Sequence, residues 1–184
     1  MKSSSFPLTG AAIAFAGCIA FAQAPAGKPA VAGSAVAAEA IIKGEGISGS
    51  LQLSERKEGV VEFTIQVKGL KPGRHGVHLH AIGKCEPPDF VSAGAHFNPA
   101  GKKHGRLSPD GAHAGDLPNV MVTSVGAAGL DVTTKAVTLK EGVPASLFGA
   151  GGTSLVIHAL PDDERTDPTG NSGGRIACGV ITRN

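Results

Sequence analysis

Gly76-Val77-His78-Leu79-His80 is the stretch from which the fold of this chain can first be argued. Along an extended strand successive side chains point to opposite faces, so His78 and His80 share one face while Val77 and Leu79 share the other. Such a strand anchors its apolar face in a core and presents two imidazoles side by side, which resembles half of a metal site. The alternative for this short motif is a strand with two solvated histidines.

Alternation of apolar and polar residues continues from Glu39 onward with a period of two. In residues 61–68, for example, Val, Phe, Ile and Val alternate with Glu, Thr, Gln and Lys, which is typical of a half-buried antiparallel strand. The chain has 27 glycines and 12 prolines, which favours short strands joined by turns. The sequence therefore predicts an all-β sandwich or barrel with Greek-key connections. Besides the histidine strand, the clearest strands are expected at 47–54, 61–68, 119–125, 129–133, 135–139, 154–159 and 175–181.

A long segment rich in glycine and proline, residues 81–118, has little periodicity of its own. A loop of this length inside a compact domain is usually functional or disordered. Its three histidines and one of its aspartates, His96, His104, His113 and Asp116, suffice for the closed tetrahedral shell of a structural zinc site. Zinc would also order the loop, because metal-binding energy becomes folding energy. The alternative, a histidine-rich surface loop, is disfavoured because six of the seven histidines fall in these clusters.

The length and charge of the chain limit the number of domains and the kinds of partner that we expect. The 184 residues suit one domain with an accessory segment and allow a sizeable core. The net charge is only +2, no basic block is present, and the chain has no Trp and no Tyr. Nucleic-acid binding through a basic surface with stacking aromatics is therefore not expected.

The N-terminal region is interpreted as a signal peptide over residues 1–22. Lys2 precedes a run of small and apolar residues, 6–21, that is too short and too broken to span a bilayer, and the last three residues of the leader fit a cleavage site. A loose lipoprotein box ends at Cys18, so acylation of Cys18 is the alternative to plain secretion. Residues 23–37 follow as a flexible linker and residues 38–184 as the folded domain. We expect the protein in the periplasm or outside the cell, either free or anchored to a membrane as a lipoprotein.

Taken in order, the motifs of this chain closely resemble those of the copper/zinc superoxide dismutases, and their spacing is similar to that of exported bacterial members. The resemblance extends from about residue 38 to the end. It implies an eight-stranded Greek-key β-barrel that carries its metals on the outer face under two long loops. The motifs are G-V-H-L-H, S-A-G-A-H-F-N-P, K-K-H-G, H-A-G-D-L-P-N, L-V-I-H and G-N-S-G-G-R-I-A-C-G-V-I.

The resemblance implies one copper and one zinc per subunit. Four imidazoles in a roughly tetragonal set suit Cu(II) and leave an axial side free for a small substrate. The implied copper ligands are His78, His80, His96 and His158. The implied zinc ligands are His96, His104, His113 and Asp116. His96 then belongs to both sets and uses one ring nitrogen for each metal.

The activity that the resemblance implies is dismutation of superoxide to dioxygen and hydrogen peroxide by an alternating Cu(II)/Cu(I) centre, with a structural zinc. In the family the shared imidazole, here His96, carries a proton for the second half of the reaction. Arg175 matches the arginine that flanks the copper channel, where a guanidinium attracts and hydrogen-bonds a small anion. A solvated arginine near a strand start is the alternative. Thr169 matches the threonine opposite that arginine.

Two supporting contacts are implied as well. Cys85 and Cys178 fit the intrasubunit disulfide of the family, in agreement with export to an oxidising compartment, and two free buried thiols are the alternative. Asp162 matches a carboxylate that links a copper histidine to a zinc histidine, here His78 and His104, and fixes the tautomer of each. A simple turn aspartate is the alternative.

The match is weaker in two loops. The loop after Cys85 differs from the eukaryotic pattern and contributes to subunit contacts in many family dimers, so both a monomer and a homodimer remain open. The segment 163–169 is short and lacks lysines, so electrostatic guidance of superoxide is less well supported than catalysis. His75 matches no ligand and is interpreted as a surface residue.

The rival functions are a non-catalytic zinc- or copper-binding module of the same fold and a copper-delivery protein. The intact copper set with Arg175 disfavours the former, and the lack of a spare cysteine pair disfavours the latter.

Overall fold

The computed structural model describes residues 38–184. The signal peptide, its cleavage after residue 22, the linker 23–37 and acylation of Cys18 lie outside the described residues and stay predictions. Within the described part, no helix has the length and apolar character that crossing a membrane would require.

Strands make up nearly all of the regular structure in residues 38–184, so the all-β prediction is confirmed. The helical element is one 3₁₀ turn, Val91–Ala93. The predicted strand 119–125 is shorter than expected. The strands are β1 Ala38–Gly44, β2 Ile47–Glu55, β3 Val61–Lys68, β4 Gly73–His75, β5 Val77–His80, β6 Val120–Val122, β7 Ala127–Thr134, β8 Ser154–His158, β9 Arg175–Val180 and β10 Thr182–Arg183.

Eight of the ten described strands form one sheet, in the order β5-β8-β9-β1-β2-β3-β7, with β10 paired to β1. Neighbours that are far apart in sequence, such as β1 beside β9 and β5 beside β8, require long connections over the ends of the sheet. This is Greek-key connectivity, as predicted. The remaining strands, β4 and β6, pair with each other.

The alternation seen in the sequence becomes an alternation of burial. Every second residue from Val61 to Val67 in β3 is buried, while the polar residues between them are exposed or half-buried. Pairing with β2 places Leu53 opposite Phe63, and both side chains are buried. Each fully buried side chain of this kind contributes about 1.5–3 kcal/mol, so the sheet is held chiefly by this apolar face.

Residues 135–139 are a predicted strand that does not form. The segment makes one isolated bridge, between Thr138 and Ser146, instead of pairing along a neighbour. The Glu55 carboxylate accepts hydrogen bonds from the Thr138 hydroxyl at 2.8 Å and from the backbone N–H of Leu139 at 2.7 Å. A half-buried carboxylate thus takes the place of an adjacent strand. The alternating pattern alone does not reveal this contact.

The predicted loop 81–118 contains no strand and is held by turns and by a disulfide. Cys85 and Cys178 are bonded, with their Cα atoms 5.6 Å apart, so the predicted disulfide is confirmed. It fastens the loop to β9. Next to it Phe90 and Val156 are buried in a small second apolar cluster, which keeps the loop against the sheet.

Candidate metal centre

β5 carries two histidines on the face opposite to its core residues. Val77 and Leu79 belong to the main apolar core. His78 and His80 point the other way, yet they are buried, with 0% and 1% of their surface exposed. A strand with two solvated histidines is therefore the wrong reading of this motif.

β8 brings a third histidine to the same place. It pairs with β5 so that Val156 lies opposite His78, and it ends at the buried His158. The pairing of β8 with β9 shifts register between Ile157 and His158. Irregularities of this kind re-aim a side chain at the end of a strand. The Nδ1 of His158 lies 3.3 Å from the Gly173 carbonyl oxygen, which leaves Nε2 as the other donor atom.

Four buried imidazoles form the first cluster of nitrogen donors. Ligand atoms of the four all lie within 4.8 Å of one another. Each ring also has one buried nitrogen with no hydrogen-bond partner among the described residues, which normally costs stability. Several unpartnered lone pairs in one buried place are what a bound cation would satisfy, and an all-imidazole set suits copper. The four atoms are Nδ1 of His78 and Nε2 of His80, His96 and His158.

The second cluster consists of three imidazoles and one carboxylate. The Nδ1 atoms of His96, His104 and His113 each lie 3.2 Å from Oδ1 of Asp116. The Nδ1 atoms of His96 and His113 are 3.4 Å apart. Bonds of about 2.0–2.1 Å to a tetrahedral zinc would separate the donor atoms by about 3.3–3.4 Å. The spacing therefore fits a tetrahedral cation, and the Nδ1 of His104 has no hydrogen-bond partner among the described residues despite its nearness to Asp116.

His96 joins the two clusters. Its Nδ1 belongs to the second group, whereas its Nε2 is one of the unpartnered nitrogens of the first. Its ring centroid lies 4.0 Å from that of His78 and 5.4 Å from that of His113. One imidazole therefore stands between two sets of donors, with one ring nitrogen available to each.

Asp162 lies behind the clusters and contacts both. Its Oδ2 is 2.7 Å from Nε2 of His78, and its Oδ1 is 3.0 Å from Nε2 of His104. Each histidine donates this Nε2–H to the carboxylate, so each Nδ1 lone pair points into its cluster. Gly170, with φ at +61°, lies so close that a Cβ there would overlap the Asp162 carboxylate and the His104 ring.

Asp116 is fixed by the backbone of its own loop. Its Oδ2 accepts hydrogen bonds from the N–H groups of Gly105 at 2.9 Å and His113 at 3.0 Å. Oδ1 remains directed at the three imidazoles. Two loop segments that are separated in sequence are thereby bound to one carboxylate.

Burial sets the protonation of the first cluster. It lowers the pKa of His80 to about 2 and that of His158 to about 3, with further lowering from neighbouring histidines and Arg175. Burial also lowers the pKa of His96 to about 4, although Asp116 opposes this. At neutral pH these three rings are therefore neutral and can offer lone pairs.

The second cluster shows the opposite behaviour. Burial alone would lower the pKa of His104, but the adjacent carboxylates of Asp116 and Asp162 outweigh it and raise the pKa to about 9. Burial would raise the pKa of both carboxyl groups, yet their contacts with His104 and with His96 or His78 hold them well below their usual range. Without a cation this end of the site therefore retains a proton on His104.

Arg175, the first residue of β9, is anchored to the disulfide-bonded loop. Its guanidinium donates to the carbonyl oxygens of Phe90 at 2.8 Å and Gly94 at 2.7 Å. The Gly94 carbonyl also lies 2.9 Å from Nδ1 of His80, so one backbone oxygen orients both side chains. Burial lowers the pKa of Arg175, and Asp89 opposes that shift.

Two further residues singled out from the sequence lie in different surroundings. Thr169 is exposed, in the turn whose carbonyl accepts the Ser172 hydroxyl at 2.9 Å. His75 is 4% exposed, so its interpretation as a surface residue is wrong. Its Nδ1 lies 2.7 Å from the His158 carbonyl oxygen and its Nε2 lies 2.9 Å from that of Lys71. The His75 ring therefore packs against the end of β8. The two residues are 83 positions apart, so no local sequence pattern indicates this contact.

Several supporting residues were not predicted from the sequence. Asn119 donates its amide to the Asp162 carbonyl at 2.9 Å and accepts the Asp162 N–H at 2.7 Å. Asp167 accepts the backbone N–H of His104 at 2.7 Å. Glu164 ties two loops together. Asn119 stands in the motif H-A-G-D-L-P-N, which could have indicated it, whereas Asp167 and Glu164 stand in no such motif.

Comparison with known proteins yields consistent results. The sequence model of the family described as copper/zinc superoxide dismutase (SODC) matches residues 47–181. Superoxide dismutase (Cu-Zn) 2 from Aquifex aeolicus (strain VF5) is 50% identical over 143 residues, which cover 77% of this chain and 83% of that protein. Superoxide dismutase (Cu-Zn) from Caulobacter vibrioides is 44% identical over 148 residues, covering 78% and 84%.

A solved structure shares the fold. The crystal structure of a SOD-like protein from Bacillus subtilis superposes with a TM-score of 0.74 at 36% sequence identity. The match covers 77% of this chain and 96% of that one.

Proposed function

This chain belongs to the copper/zinc superoxide dismutase family, and from that premise we propose which of its residues hold the two metals. It is a superoxide dismutase of the Cu/Zn type, with one copper and one zinc per subunit. Copper is assigned to His78, His80, His96 and His158. Zinc is assigned to His96, His104, His113 and Asp116. The observation that carries the assignment is the pair of donor clusters that share only His96.

Three of the four histidines of the copper set are suited to hold a metal without first losing a proton. His80, His96 and His158 are neutral at physiological pH because burial lowers their pKa. When bound, copper supplies a Cu(II)/Cu(I) couple through which one superoxide becomes dioxygen and a second, with two protons, becomes hydrogen peroxide. The zinc set closes its tetrahedron with protein donors, which is the arrangement of a structural site.

His96 is proposed to carry one of these protons on Nε2. Its Nδ1 is engaged with Asp116 and His113, whereas Nε2 has no hydrogen-bond partner among the described residues. Nε2 is therefore the ring nitrogen that would contact copper when the metal is bound, and the one at which His96 would hold a proton. The second proton comes from solvent.

Arg175 is proposed to bind and orient the anionic substrate. Two of its five N–H donors are used by the carbonyls of Phe90 and Gly94, so the guanidinium is held while other N–H groups stay available. Thr169 is proposed to face it across the channel, and Asp162 to keep His78 and His104 in the correct tautomers. A non-catalytic module would not need this anchored cation, so the catalytic reading is preferred.

Export is proposed for the cellular location. The disulfide and the bacterial relatives are consistent with an oxidising compartment outside the cytoplasm. We propose the periplasm or the extracellular space, with release after residue 22 or a lipid on Cys18 as the two routes. Mass spectrometry of the mature N-terminus distinguishes the two routes, and sedimentation distinguishes a monomer from a homodimer.

His158→Ala tests the assignment in the mature chain, residues 23–184. Bound copper and zinc are quantified, and dismutation is assayed. We expect loss of copper and at least a hundredfold loss of activity with zinc retained, because His158 lies outside the zinc set. Ile157→Val, on the neighbouring residue of β8, is the control; it costs about 0.5–1.5 kcal/mol of stability and should keep full activity. Full activity in His158→Ala would overturn the proposal.

A further inference from the structure

Glu164 is a buried carboxylate that belongs to neither proposed metal set. Its side chain is 11% exposed and its backbone is left-handed, with φ at +60°. A buried carboxylate requires partners to offset its desolvation, and a glutamate in a left-handed conformation is uncommon. Both features indicate that the surrounding contacts hold this residue in place.

The Glu164 side chain connects three separate segments. Oε2 accepts a hydrogen bond from the Arg106 guanidinium at 2.9 Å, two residues after His104. Oε1 accepts one from the Asn119 amide at 3.3 Å and lies 3.9 Å from the Arg74 guanidinium at β4. Asn119 in turn makes two hydrogen bonds with the backbone of Asp162: its amide NH₂ donates to the carbonyl and its amide oxygen accepts the N–H.

The backbone of Glu164 also links Asp162 to the segment that follows His104. Its N–H donates to Oδ1 of Asp162 at 2.6 Å, and its carbonyl accepts the N–H of Leu107 at 3.0 Å. Gly105 packs so closely on that carbonyl that a Cβ there would overlap it. The peptide of Glu164 thus orients Asp162 on one side and holds the chain beyond His104 on the other.

Beyond Glu164 the same loop contacts the segment a third time. Asp167 accepts the N–H of His104 at 2.7 Å and pairs with the exposed Lys103 ammonium at 3.2 Å. Residues 103–107 are therefore held from both ends by residues 162–167. His104 is the point at which this outer contact meets the zinc set.

We propose that Glu164 is a positioning residue for zinc: it locks residues 103–107 to the loop that carries Asp162, so that His104 presents Nδ1 in the geometry that retains the ion. The inference rests on the proposed zinc set and adds to it a residue that orients a zinc ligand without binding the ion. Partners of this outer kind typically change metal affinity by about 10–100-fold.

Removal of the carboxylate should leave the fold intact. Its two cationic partners, Arg74 and Arg106, have side chains that are 54% and 42% exposed, so water can solvate both guanidinium groups. The Leu107 hydrogen bond uses the backbone of Glu164 and survives substitution. A change in zinc retention can therefore be observed in folded protein.

The test compares Glu164→Ala and Glu164→Gln with Glu141→Ala in the mature chain loaded with zinc. Glu141 is a matched control, because it pairs with Arg183 at 3.1 Å but is 68% exposed and belongs to the segment after β7. The rate of zinc release to an excess of chelator is measured. Co²⁺ substituted for zinc gives visible absorption bands that report the geometry of the site.

We expect zinc release at least tenfold faster in Glu164→Ala, with shifted Co²⁺ bands. Glu164→Gln should be intermediate, because its carbonyl oxygen still accepts hydrogen bonds from Arg106 or Asn119. Glu141→Ala should match the wild type. Should Glu164→Ala fail to fold, Glu164→Gln and Arg106→Gln provide the comparison.

Release within twofold of wild type in the Glu164 variants, with unshifted Co²⁺ bands, would overturn this inference and leave the zinc set standing. Equal acceleration in Glu141→Ala would also overturn it, because the effect would then be a general loosening. If the wild-type chain bound neither zinc nor Co²⁺, the proposed zinc set and this inference would both fail.

Discussion

The two proposed metal sets are built on different kinds of structure. In the copper set, three of four residues, His78, His80 and His158, lie on the paired strands β5 and β8. In the zinc set, all four residues lie in the loop between β5 and β6. A strand-borne donor is oriented by the backbone ladder, whereas a loop-borne donor depends on side chains that bind the loop.

The carboxylates are distributed accordingly. Asp116 holds the zinc loop from within, and Asp162 and Glu164 hold it from outside. Among the strand-borne histidines of the copper set, only His78 contacts a carboxylate, that of Asp162, whereas ring nitrogens of His80 and His158 lie beside the Gly94 and Gly173 carbonyls. The loop is therefore ordered chiefly by charged side chains, while the sheet is ordered chiefly by backbone pairing and apolar burial.

The position of the carboxylates also determines which histidines carry an additional proton in the metal-free protein. Burial without an adjacent carboxylate lowers the pKa of His80 and His158, whereas Asp116 and Asp162 raise that of His104 to about 9. His80 and His158 are therefore neutral and ready to accept a cation at neutral pH. The loop-borne set must first release the proton of His104, so zinc binding is coupled to pH and copper binding much less so.

The largest expected effect comes from removing the disulfide in a Cys85→Ser/Cys178→Ser variant. The cross-link spans 93 positions, and chain entropy puts its contribution at about 4–5 kcal/mol as an upper value. Urea unfolding of the metal-free variant measures the loss against wild type. Because Gly94 lies in the released loop and orients His80 and Arg175, the copper set should suffer more than the zinc set. Greater loss of zinc than of copper would contradict the comparison.

A smaller effect is expected from Asp162→Asn, which weakens the link between the two sets. The amide presents an NH₂ group to Nε2 of one of the two histidines. That ring must then move its proton from Nε2 to Nδ1, so its Nδ1 lone pair is no longer available to the metal. We expect zinc affinity to fall by about 10–100-fold, since His104 has no strand to hold it, and copper affinity to fall less. Competition titration with chelators measures both. Glu141→Gln, the same carboxylate-to-amide change at an exposed residue after β7, is the control and should change neither.

The smallest effect, taken per pH unit, is the pH dependence of stability in the metal-free protein. The pKa of His104 is raised above its ordinary value of 6.5, so its contribution is present below pH 6.5 and is lost as pH rises through about 9. The lowered pKa values of His80 and His158 act oppositely: stability falls as pH drops below 6.5 towards about 3. Each proton contributes a slope of at most about 1.4 kcal/mol per pH unit. Stability should therefore be highest near pH 6.5.

Urea midpoints of the metal-free chain between pH 5 and 9.5 measure this dependence. Zinc-loaded protein is the control, because ligation already removes the proton from His104 and should abolish the alkaline decline. An unchanged midpoint of the metal-free chain between pH 7 and 9.5 would contradict the protonation assigned to His104.

Several features were predictable from the sequence because they depend on neighbours along the chain. The alternation in 61–68 predicts β3, and Val77 and Leu79 predict which face of β5 enters the core. The motifs, through their resemblance to a family, named the cysteines that are bonded. The roles proposed for the histidines, Arg175 and Thr169 remain predictions.

Other features were not predictable because they join distant segments. The strand expected at 135–139 is replaced by contacts with Glu55, more than 80 positions away. His75 was placed at the surface because nothing near it in sequence reveals that its ring lies against the His158 carbonyl. Glu164 and Asp167 stand among ordinary turn residues, and only the structure brings them against residues 103–107.

The period-two strands, the turns between them and the identity of the potential donor residues follow from the order of residues alone, because side-chain direction along a strand is a local property. Which nitrogen of each histidine is left without a partner, and which carboxylates hold the zinc loop, follows from the folded arrangement. Those outcomes depend on burial and on contacts between distant segments, such as those of Asp162 with His104 and His78, which lie 58 and 84 positions away and meet it only in the folded chain.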